Sequence, residues 1–300
     1  MEPEAPSQGA TFEFCYRHPN EATGVHCTRC GRPICPDCMI PAPVGYQCPE
    51  CVADARKAFR QGPTRTIRSV QRRASATSVT LVILVAVFVV QLVRGQGVGL
   101  TMTGSIDPLL RNGAIVPPLI AQGEYYRLFT AMFLHFSVIH LLMNAWALWI
   151  FGQFVENSMG RLVFAVVFLV GGFIGSVASY VFGPVQQIGA GASGAIVALF
   201  GAFIAYNLRR RDSAMSRANL QSAVILILLN AFITLGIRGI DWRAHLGGLV
   251  GGFVVGGILD WAGPRQSRRT VAIASVAGVV FAGIALVLAR TDQIRTLLGI

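Results

Sequence analysis

Two residue types that together perform nucleophilic catalysis lie in the apolar part of this 300-residue chain, at Ser193 and His245. A serine hydroxyl is a weak nucleophile that needs an adjacent base, and a histidine can take its proton and return it to a leaving amine. The carboxylate nearest to His245 in sequence is Asp241, one helical turn earlier. The spacing therefore predicts a Ser–His dyad rather than a triad.

Hydrogen-bond donors for the oxyanion of a tetrahedral intermediate are also present. His140 and Asn144 are four residues apart, which places them on one face of a helix. The backbone N–H of Ser193 is a third candidate donor. Gly191 and Gly194 flank this serine, and glycine lets a backbone approach a substrate closely. Each residue also has a purely structural explanation, since small and amide side chains commonly join membrane helices.

The rest of the sequence describes the helices that must carry these side chains. Charged residues make up 13% of the chain, whereas a soluble domain has about 25%. The composition therefore excludes a purely cytosolic globule and predicts an all-α polytopic membrane protein. Seven apolar runs have roughly the length that crosses a bilayer. They cover residues 76–93, 133–155, 161–183, 190–207, 219–237, 242–262 and 271–289.

The distribution of arginine predicts how these spans are oriented. The net charge is +11, and Lys57 is the one lysine among 25 basic residues. With a cytoplasmic N-terminus, most clustered arginines fall on the cytoplasmic side, as the positive-inside rule requires. A basic excess in so apolar a chain favours the lipid bilayer, and not nucleic acid, as its partner. The clusters are the 56–73 stretch, Arg161, Arg209 to Arg211 with Arg217, and Arg265 with Arg268 and Arg269.

This orientation brings the candidate catalytic residues to one level. The second, fourth and sixth spans then begin on the outer side, and His140 and Asn144 lie early in the second. Ser193 lies three residues into the fourth span, and His245 lies three residues into the sixth. At about 1.5 Å per residue, all four side chains fall in the outer half of the bilayer. The sequence thus predicts one site built from three spans.

The cysteines define a separate head at residues 1–54. All seven lie between Cys15 and Cys51 and, with His18, form four pairs in which two residues separate the members. Zinc takes four nitrogen or sulfur ligands, so four pairs predict two structural zinc ions. Bound metal is needed because a head of about 40 residues has too small a hydrophobic core to fold without it. The pairs are Cys15 with His18, Cys27 with Cys30, Cys35 with Cys38, and Cys48 with Cys51.

The spacers between the pairs favour an interleaved arrangement. Four residues separate the second pair from the third, too few for both to share one ion easily. We therefore predict that the first pair joins the third and the second joins the fourth. His26 is an alternative to His18, and an oxidised head with three disulfides is an alternative to metal. Thiolate ligands belong in a reducing compartment, which agrees with a cytoplasmic N-terminus.

The head resembles a B-box-type zinc finger, although that family usually ends in histidine ligands and this head ends in Cys48 and Cys51. The ligands fill the coordination spheres and leave no open catalytic position. We therefore expect the head to bind a protein partner or to have a regulatory role. A basic juxtamembrane linker at 55–74 follows, then a membrane domain at 75–290 and an external C-terminal tail at 291–300.

The membrane domain resembles the rhomboid family of intramembrane serine proteases over most of residues 120–262. The resemblance implies a six-helix core plus one C-terminal transmembrane helix, a water-filled pocket and transmembrane protein substrates. It implies Ser193 as nucleophile, His245 as base, and His140 with Asn144 at the oxyanion. Structural support is expected from Arg127, Gly191, Gly194 and Gly248. The matching motifs are Gly191-Ala192-Ser193-Gly194, Ala244-His245-Leu246-Gly247-Gly248, His135-x4-His140-x3-Asn144, and Gly152, Glu156 and Gly160.

Two positions depart from the family pattern. The usual Trp-Arg pair is Tyr126-Arg127 here, and Val197 replaces an aromatic residue that often stacks on the base. His135 and Glu156 are interpreted as structural residues, Glu156 as a helix cap. The alternative function is a proteolytically inactive rhomboid-like protein that binds membrane clients. A transporter is disfavoured because the spans show no carboxylate pair and no inverted repeat.

Overall fold

The structure, a computed structural model, describes residues 13–42, 44–61, 75–93, 113–236, 240–263 and 266–300. The chain divides into two compact units, Met1–Arg73 and Ala74–Ile300. Most of the predicted linker at 55–74 and the beginning of the segment between the first two spans lie outside the described residues.

The first unit is a small domain whose core consists largely of thiols. Six of its seven cysteines are buried around Ile34, which is fully buried. Thiols bury little apolar surface, so the stability of this unit depends on what the sulfur atoms bind. Its elements are the antiparallel pair β1 Glu13–Phe14 and β2 Ala22–Thr23, the antiparallel pair β3 Ile40–Pro41 and β4 Tyr46–Gln47, and α1 Pro49–Gln61.

The second unit is a helical bundle. Its helices are α2 Ala76–Val93, α3 Pro117–Ala121, α4 Arg127–Thr130, α5 Val138–Met159, α6 Arg161–Phe182, α7 Ser193–Arg209, α8 Ala214–Gly236, α9 Trp242–Ala262 and α10 Gln266–Leu298. In the part of the chain that the structure describes, six of them are long and apolar enough to cross a membrane, and α7 is a shorter apolar helix. The prediction of an all-α polytopic membrane domain is confirmed.

Helix α7 is the central helix of this bundle. Of its 17 residues, 11 are buried, and it contacts α5, α6, α8 and α9. A helix that other helices surround does not need to match the thickness of the lipid core, which is consistent with its short length. The predicted run began at residue 190, but the helix begins at Ser193 because Gly191 has a positive φ of 134°.

Glycines allow α7 and α9 to approach until their backbones touch. A Cβ atom at these positions would overlap a backbone oxygen of the partner helix, so any larger residue would force the helices apart. Close approach of this kind maximises dispersion contacts, which drive helix association where lipid removes the hydrophobic effect. A Cβ on Gly248 would overlap the Gly194 carbonyl oxygen, one on Gly252 the Ala198 carbonyl oxygen, and one on Gly201 the Leu249 carbonyl oxygen.

Glu156, near the end of α5, caps the start of α2. Its carboxylate accepts hydrogen bonds from the backbone N–H groups of Ala76 at 2.8 Å and Thr77 at 2.9 Å, and from the Ser75 hydroxyl at 2.7 Å. The Nε atom of Arg161 lies 3.2 Å from Glu156 Oε1. Free N–H groups and the helix dipole both favour a carboxylate at a helix N-terminus. Glu156 therefore has the structural role that its position in the sequence suggested.

Helix α10 extends beyond its predicted span. The sequence indicated a tail at 291–300, whereas the helix continues through almost all of that stretch. The extra turns have polar partners: Arg295 donates to the Ala121 carbonyl at 2.7 Å, and the hydroxyls of Thr291 and Tyr180 are 2.9 Å apart. These contacts explain why a stretch that is too polar to span a membrane remains helical.

The glycine contact between α7 and α9 can be tested by adding one methyl group. We expect Gly252→Ala to lower the thermal midpoint of the detergent-solubilised protein, since overpacking of this kind costs about 1–3 kcal/mol. Gly278→Ala in α10 is the matched control, because a Cβ there meets nothing within 4 Å. Equal midpoints for the two variants would contradict the assigned packing.

Candidate active site and metal centres

Ser193 and His245 lie within hydrogen-bond distance of each other. Ser193 is the first residue of α7, and its Oγ is 2.8 Å from His245 Nε2. Both side chains are partly exposed, so a substrate can reach them. A serine whose hydroxyl hydrogen points at an imidazole nitrogen is the arrangement that general-base activation requires.

The start of α9 fixes the position of His245. Asp241 is the N-cap of this helix, and its Oδ1 accepts hydrogen bonds from the backbone N–H groups of Arg243 at 3.0 Å and Ala244 at 3.3 Å. Its other oxygen accepts from the Ser179 hydroxyl of α6. Asp241 therefore caps α9 with one carboxylate oxygen and joins the start of this helix to α6 with the other.

The second nitrogen of His245 has a partner that sequence reasoning did not find. His245 Nδ1 is 3.2 Å from Thr234 Oγ1 on α8, and the Thr234 hydroxyl donates to Asn230 Oδ1 at 3.3 Å. A threonine in an apolar helix carries no distinctive signal, and its contact with His245 depends on how α8 is rotated. No motif in the sequence could have identified it.

The predicted oxyanion residues lie at the start of α5. Ser137 caps this helix by accepting the His140 backbone N–H at 3.1 Å. Within the described residues, His140 Nδ1 and Asn144 Nδ2 are buried without a hydrogen-bond partner. Both ring nitrogens of His135 are also buried without a partner among the described residues. The Asn144 amide N–H is a donor in every state, and leaving it unpaired is costly, so it is available to bind a ligand.

Gly191 connects these donors to the serine. A Cβ at Gly191 would lie 2.7 Å from the His140 ring, and the residue has a positive φ that other residues rarely adopt. Only glycine lets the chain pass so close to His140 just before Ser193. The structure thus places His140 and Asn144 beside the start of α7.

Arg127 lies in the segment that precedes α5 and is almost completely buried. Its guanidinium contacts Glu124 at 2.6 Å and donates to the Ala114 carbonyl at 3.0 Å. The Tyr126 hydroxyl donates to the same carboxylate at 2.8 Å. Hydrogen bonds from Tyr126 and Arg127 lower the pKa of the Glu124 carboxyl. Arg127 therefore braces this segment, and Tyr126 contributes a hydrogen bond to the same carboxylate.

His135 has no direct role in the dyad geometry. Its ring is fully buried, with the ring centroids of Phe88 at 6.4 Å and His140 at 5.2 Å. Its backbone N–H donates to Gln91 Oε1 at 3.2 Å, and its carbonyl accepts from the same side chain at 3.4 Å. These bonds join the segment before α5 to α2, which is a structural role.

Comparison with known proteins identifies the membrane domain. The family model described as the Rhomboid domain matches residues 122–262. The Bacillus subtilis rhomboid-family protein YdcA is 32% identical over 136 residues, which is 45% of this chain and 68% of YdcA. The chain belongs to the rhomboid family.

Further relatives match somewhat longer parts of this rhomboid-family chain. Rhomboid protease GluP of Bacillus subtilis is 34% identical over 183 residues, 59% of this chain and 36% of GluP. Rhomboid-like protease 2 of Toxoplasma gondii is 32% identical over 179 residues, 57% of this chain and 61% of that protein. The matches thus span only part of the length of these relatives. The matched family domain contains Ser193, His245, His140 and Asn144.

The cysteine-rich unit of this rhomboid-family chain holds two ligand clusters. In each cluster the four ligand atoms lie within 4.8 Å of one another, and the grouping is the predicted interleaved one. All seven cysteines are free thiols, and His26 instead contacts Glu13 at 3.0 Å. The clusters are Cys15, His18, Cys35 and Cys38, and Cys27, Cys30, Cys48 and Cys51.

The distances within the clusters fit tetrahedral zinc. His18 Nδ1 is 3.2 Å from Cys35 Sγ, 3.5 Å from Cys38 Sγ and 3.9 Å from Cys15 Sγ, and the sulfur atoms of Cys30 and Cys48 are 3.8 Å apart, so the distances lie within about 0.3 Å of the tetrahedral values. Ligand atoms at about 2.0–2.3 Å from one zinc ion would be separated by about 3.5–3.8 Å. The residues present therefore fit the metal that the cysteine spacing suggested.

Hydrogen-bond donors around two cysteines of the second cluster favour the thiolate, the form that zinc binds, whereas the neighbouring Cys48 raises the pKa of the Cys51 thiol. Arg32 Nε donates to Cys30 Sγ at 3.4 Å, and the Cys48 backbone N–H donates to Cys27 Sγ at 3.3 Å. The hydrogen bond from the Arg32 guanidinium lowers the pKa of the Cys30 thiol. Positive charge and N–H donors around the sulfur atoms are typical of structural zinc sites.

We expect the purified full-length protein to contain about two zinc ions per chain, because each cluster supplies a full set of four ligands. Cys35→Ser and Cys48→Ser should each reduce the content to about one, as measured by inductively coupled plasma mass spectrometry. His26→Ala is the control and should retain both ions. Disulfides in a folded, metal-free head would contradict the assignment.

Proposed function

We propose that this protein is an intramembrane serine endopeptidase that cleaves transmembrane segments of other proteins. The observation that carries the proposal is the hydrogen bond between Ser193 Oγ and His245 Nε2 at 2.8 Å, inside a rhomboid-family domain. Neither residue alone would suffice, since both types are common in membrane helices for structural reasons. Their hydrogen bond, joining the starts of two adjacent helices, supports catalysis.

The chemistry assigned to the dyad is acyl transfer in two steps. His245 accepts the Ser193 proton as the hydroxyl oxygen attacks the scissile carbonyl, and it then protonates the leaving amine, which departs. Water attacks the resulting acyl-serine with His245 again as base, which releases the carboxylate product and restores the serine.

Oxyanion stabilisation is assigned to donors from α5 and α7. Asn144 Nδ2 is buried and unpaired among the described residues, and Ser193 is the first residue of α7. The first N–H groups of a helix have no acceptor within it, and the helix dipole favours negative charge at this end. We assign His140 as a further donor, because its ring contacts Gly191 just before the serine.

The substrate must present an unwound backbone to the dyad. A peptide carbonyl in an intact helix is engaged by the N–H four residues later, so a helical segment hides the bond to be cut. We therefore infer that substrates are membrane helices with small or helix-breaking residues near the outer face. The inactive client-binding alternative is disfavoured by the presence of both Ser193 and His245 in hydrogen-bonded geometry.

We further propose that the N-terminal head lies in the cytoplasm, holds two structural zinc ions and binds a protein partner. Clustered arginines support this orientation, because the loop between α7 and α8 contains Arg210 and Arg211 and the one before α10 is followed by Arg268 and Arg269. The multi-pass membrane domain would then open its active site to the opposite side of the cell membrane.

The proteolytic function is tested with a reporter transmembrane helix reconstituted in liposomes with the full-length protein. We expect Ser193→Ala and His245→Ala each to lower the cleavage rate by on the order of 10⁶-fold, as removal of the nucleophile or the base does in soluble serine proteases. Ser222→Ala is the control, since this exposed hydroxyl bonds only within its own helix, to the Ala218 carbonyl. Undiminished cleavage by Ser193→Ala would exclude it as the nucleophile.

The orientation is tested by labelling with a membrane-impermeant maleimide. We expect Asp212→Cys, in the loop between α7 and α8, to react only when the cytoplasmic side is accessible. Gln122→Cys, which follows α3, should react from the opposite side. Both positions are exposed, and mass spectrometry of the peptide around each one separates its signal from the native cysteines. Reversed accessibility would contradict the proposed orientation.

A further inference from the structure

A line of three hydrogen bonds runs from α8 through His245 to Ser193. Asn230 Oδ1 accepts from the Thr234 hydroxyl at 3.3 Å, Thr234 Oγ1 is 3.2 Å from His245 Nδ1, and His245 Nε2 is 2.8 Å from Ser193 Oγ. Thr234 itself is buried. The four side chains come from three different helices, so tertiary packing brings them together.

One assignment of donors and acceptors along this line leaves His245 able to act as base, whereas the reverse one, with Thr234 donating to Nδ1, places the imidazole proton on Nε2 facing Ser193. In the first assignment, every group in the line is paired. The Thr234 hydroxyl hydrogen is directed to Asn230 Oδ1, which can only accept. The oxygen of Thr234 is then the acceptor for His245, which requires a proton on Nδ1. A neutral imidazole with a proton on Nδ1 has a free lone pair on Nε2, the nitrogen that faces Ser193.

We propose that Thr234 is a positioning residue that holds His245 in the tautomer able to act as base. The proposal rests on the serine protease function assigned above. A carboxylate performs this task in Ser–His–Asp triads, but Asp241 here has both oxygens engaged at the start of α9 and by Ser179. The Thr234 hydroxyl occupies the position of the third triad member.

The burial of Thr234 supports a specific role for it. Among the candidate membrane helices of the described residues, α8 is the least buried. Only 11% of the residues in its most apolar stretch are buried. Thr234 is nevertheless 7% exposed, and it lies where α8 meets His245 of α9. The contact with His245 thus falls at one of the few places where α8 is packed against the bundle.

Loss of an aromatic ring beside the base makes this contact more important. Val197 stands on α7 one turn after Ser193, and no ring contact of His245 is found among the described residues. Ring stacking therefore does not orient the imidazole in the part of the chain that is described. The hydrogen bonds at Nδ1 and Nε2 are the directional contacts that remain.

The proposal is tested by removing the hydroxyl and by restoring it. Thr234→Val has nearly the same shape without the hydroxyl, and we expect it to lower kcat about tenfold with KM unchanged, since Thr234 acts through His245 and not on substrate. Thr234→Ser keeps the hydroxyl and should restore kcat to within about twofold. Ser222→Ala, a hydroxyl deletion on the exposed face of α8, should match the wild type.

A spectroscopic measurement reports the tautomer independently of activity. In protein with ¹⁵N-labelled histidine, the His245 signals, assigned by their loss in His245→Ala, should show a protonated Nδ1 in the wild type and in Thr234→Ser. Thr234→Val should show a mixture of tautomers. Thr234→Ala serves as a second hydroxyl-free variant if the valine variant does not fold, and the same mixture is expected.

The outcomes separate this inference from the proposed function. Wild-type kcat together with an unchanged His245 tautomer in Thr234→Val or Thr234→Ala would overturn the role of Thr234 and leave the dyad intact. Absence of Ser193-dependent cleavage in the wild type would overturn the proposed function, while the nitrogen signals would still show whether Thr234 fixes the tautomer. A fall in kcat that Thr234→Ser does not restore would indicate packing and would also overturn the inference.

Discussion

The close contact between α7 and α9 is the constraint on which the rest of the membrane domain depends. Glycine replaces every side chain that would separate the two backbones, at Gly201 on one helix and at Gly248 and Gly252 on the other. Dispersion forces decay steeply with distance, and in lipid they supply much of the attraction between helices. Because Ser193 and His245 lie at the starts of these helices, the same contact sets the distance between nucleophile and base.

Helix α8 contacts this pair through a small apolar patch, where Ala223 packs on Phe200 and Phe203, and through polar side chains. Asn219 donates to Asn207 of α7 at 2.9 Å near one end, and Thr234 contacts His245 near the other. Most of the apolar surface between these two points is exposed in the bundle, so lipid covers it in a membrane. Because Thr234 contacts His245 directly, the position of this end of α8 determines the surroundings of the base.

Some of this arrangement could be predicted from residue types and spacing, and some could not. Apolar runs of about 20 residues define membrane helices. Ser193 and His245 each lie close to the start of such a helix, so their similar depth in the membrane was predictable. The interleaved clusters were also predictable, because the four-residue spacer is too short for the second and third ligand pairs to share one ion easily. The contacts of Glu156 with Thr77 and of Thr234 with His245 depend on helix rotation and on separations in sequence that no local pattern encodes.

The arginine content of this chain also has a structural explanation beyond membrane orientation. Irregular backbone at the ends of membrane helices leaves carbonyl groups without partners, and leaving them unpaired where water is scarce is costly. Arg127 and Arg295 donate to such carbonyls at Ala114 and Ala121. A guanidinium carries five N–H donors in fixed geometry, so it can bind a carbonyl and a second acceptor at once, as Arg127 does with Glu124. Lysine directs its donors less well, which gives a physical reason for arginine at these two positions.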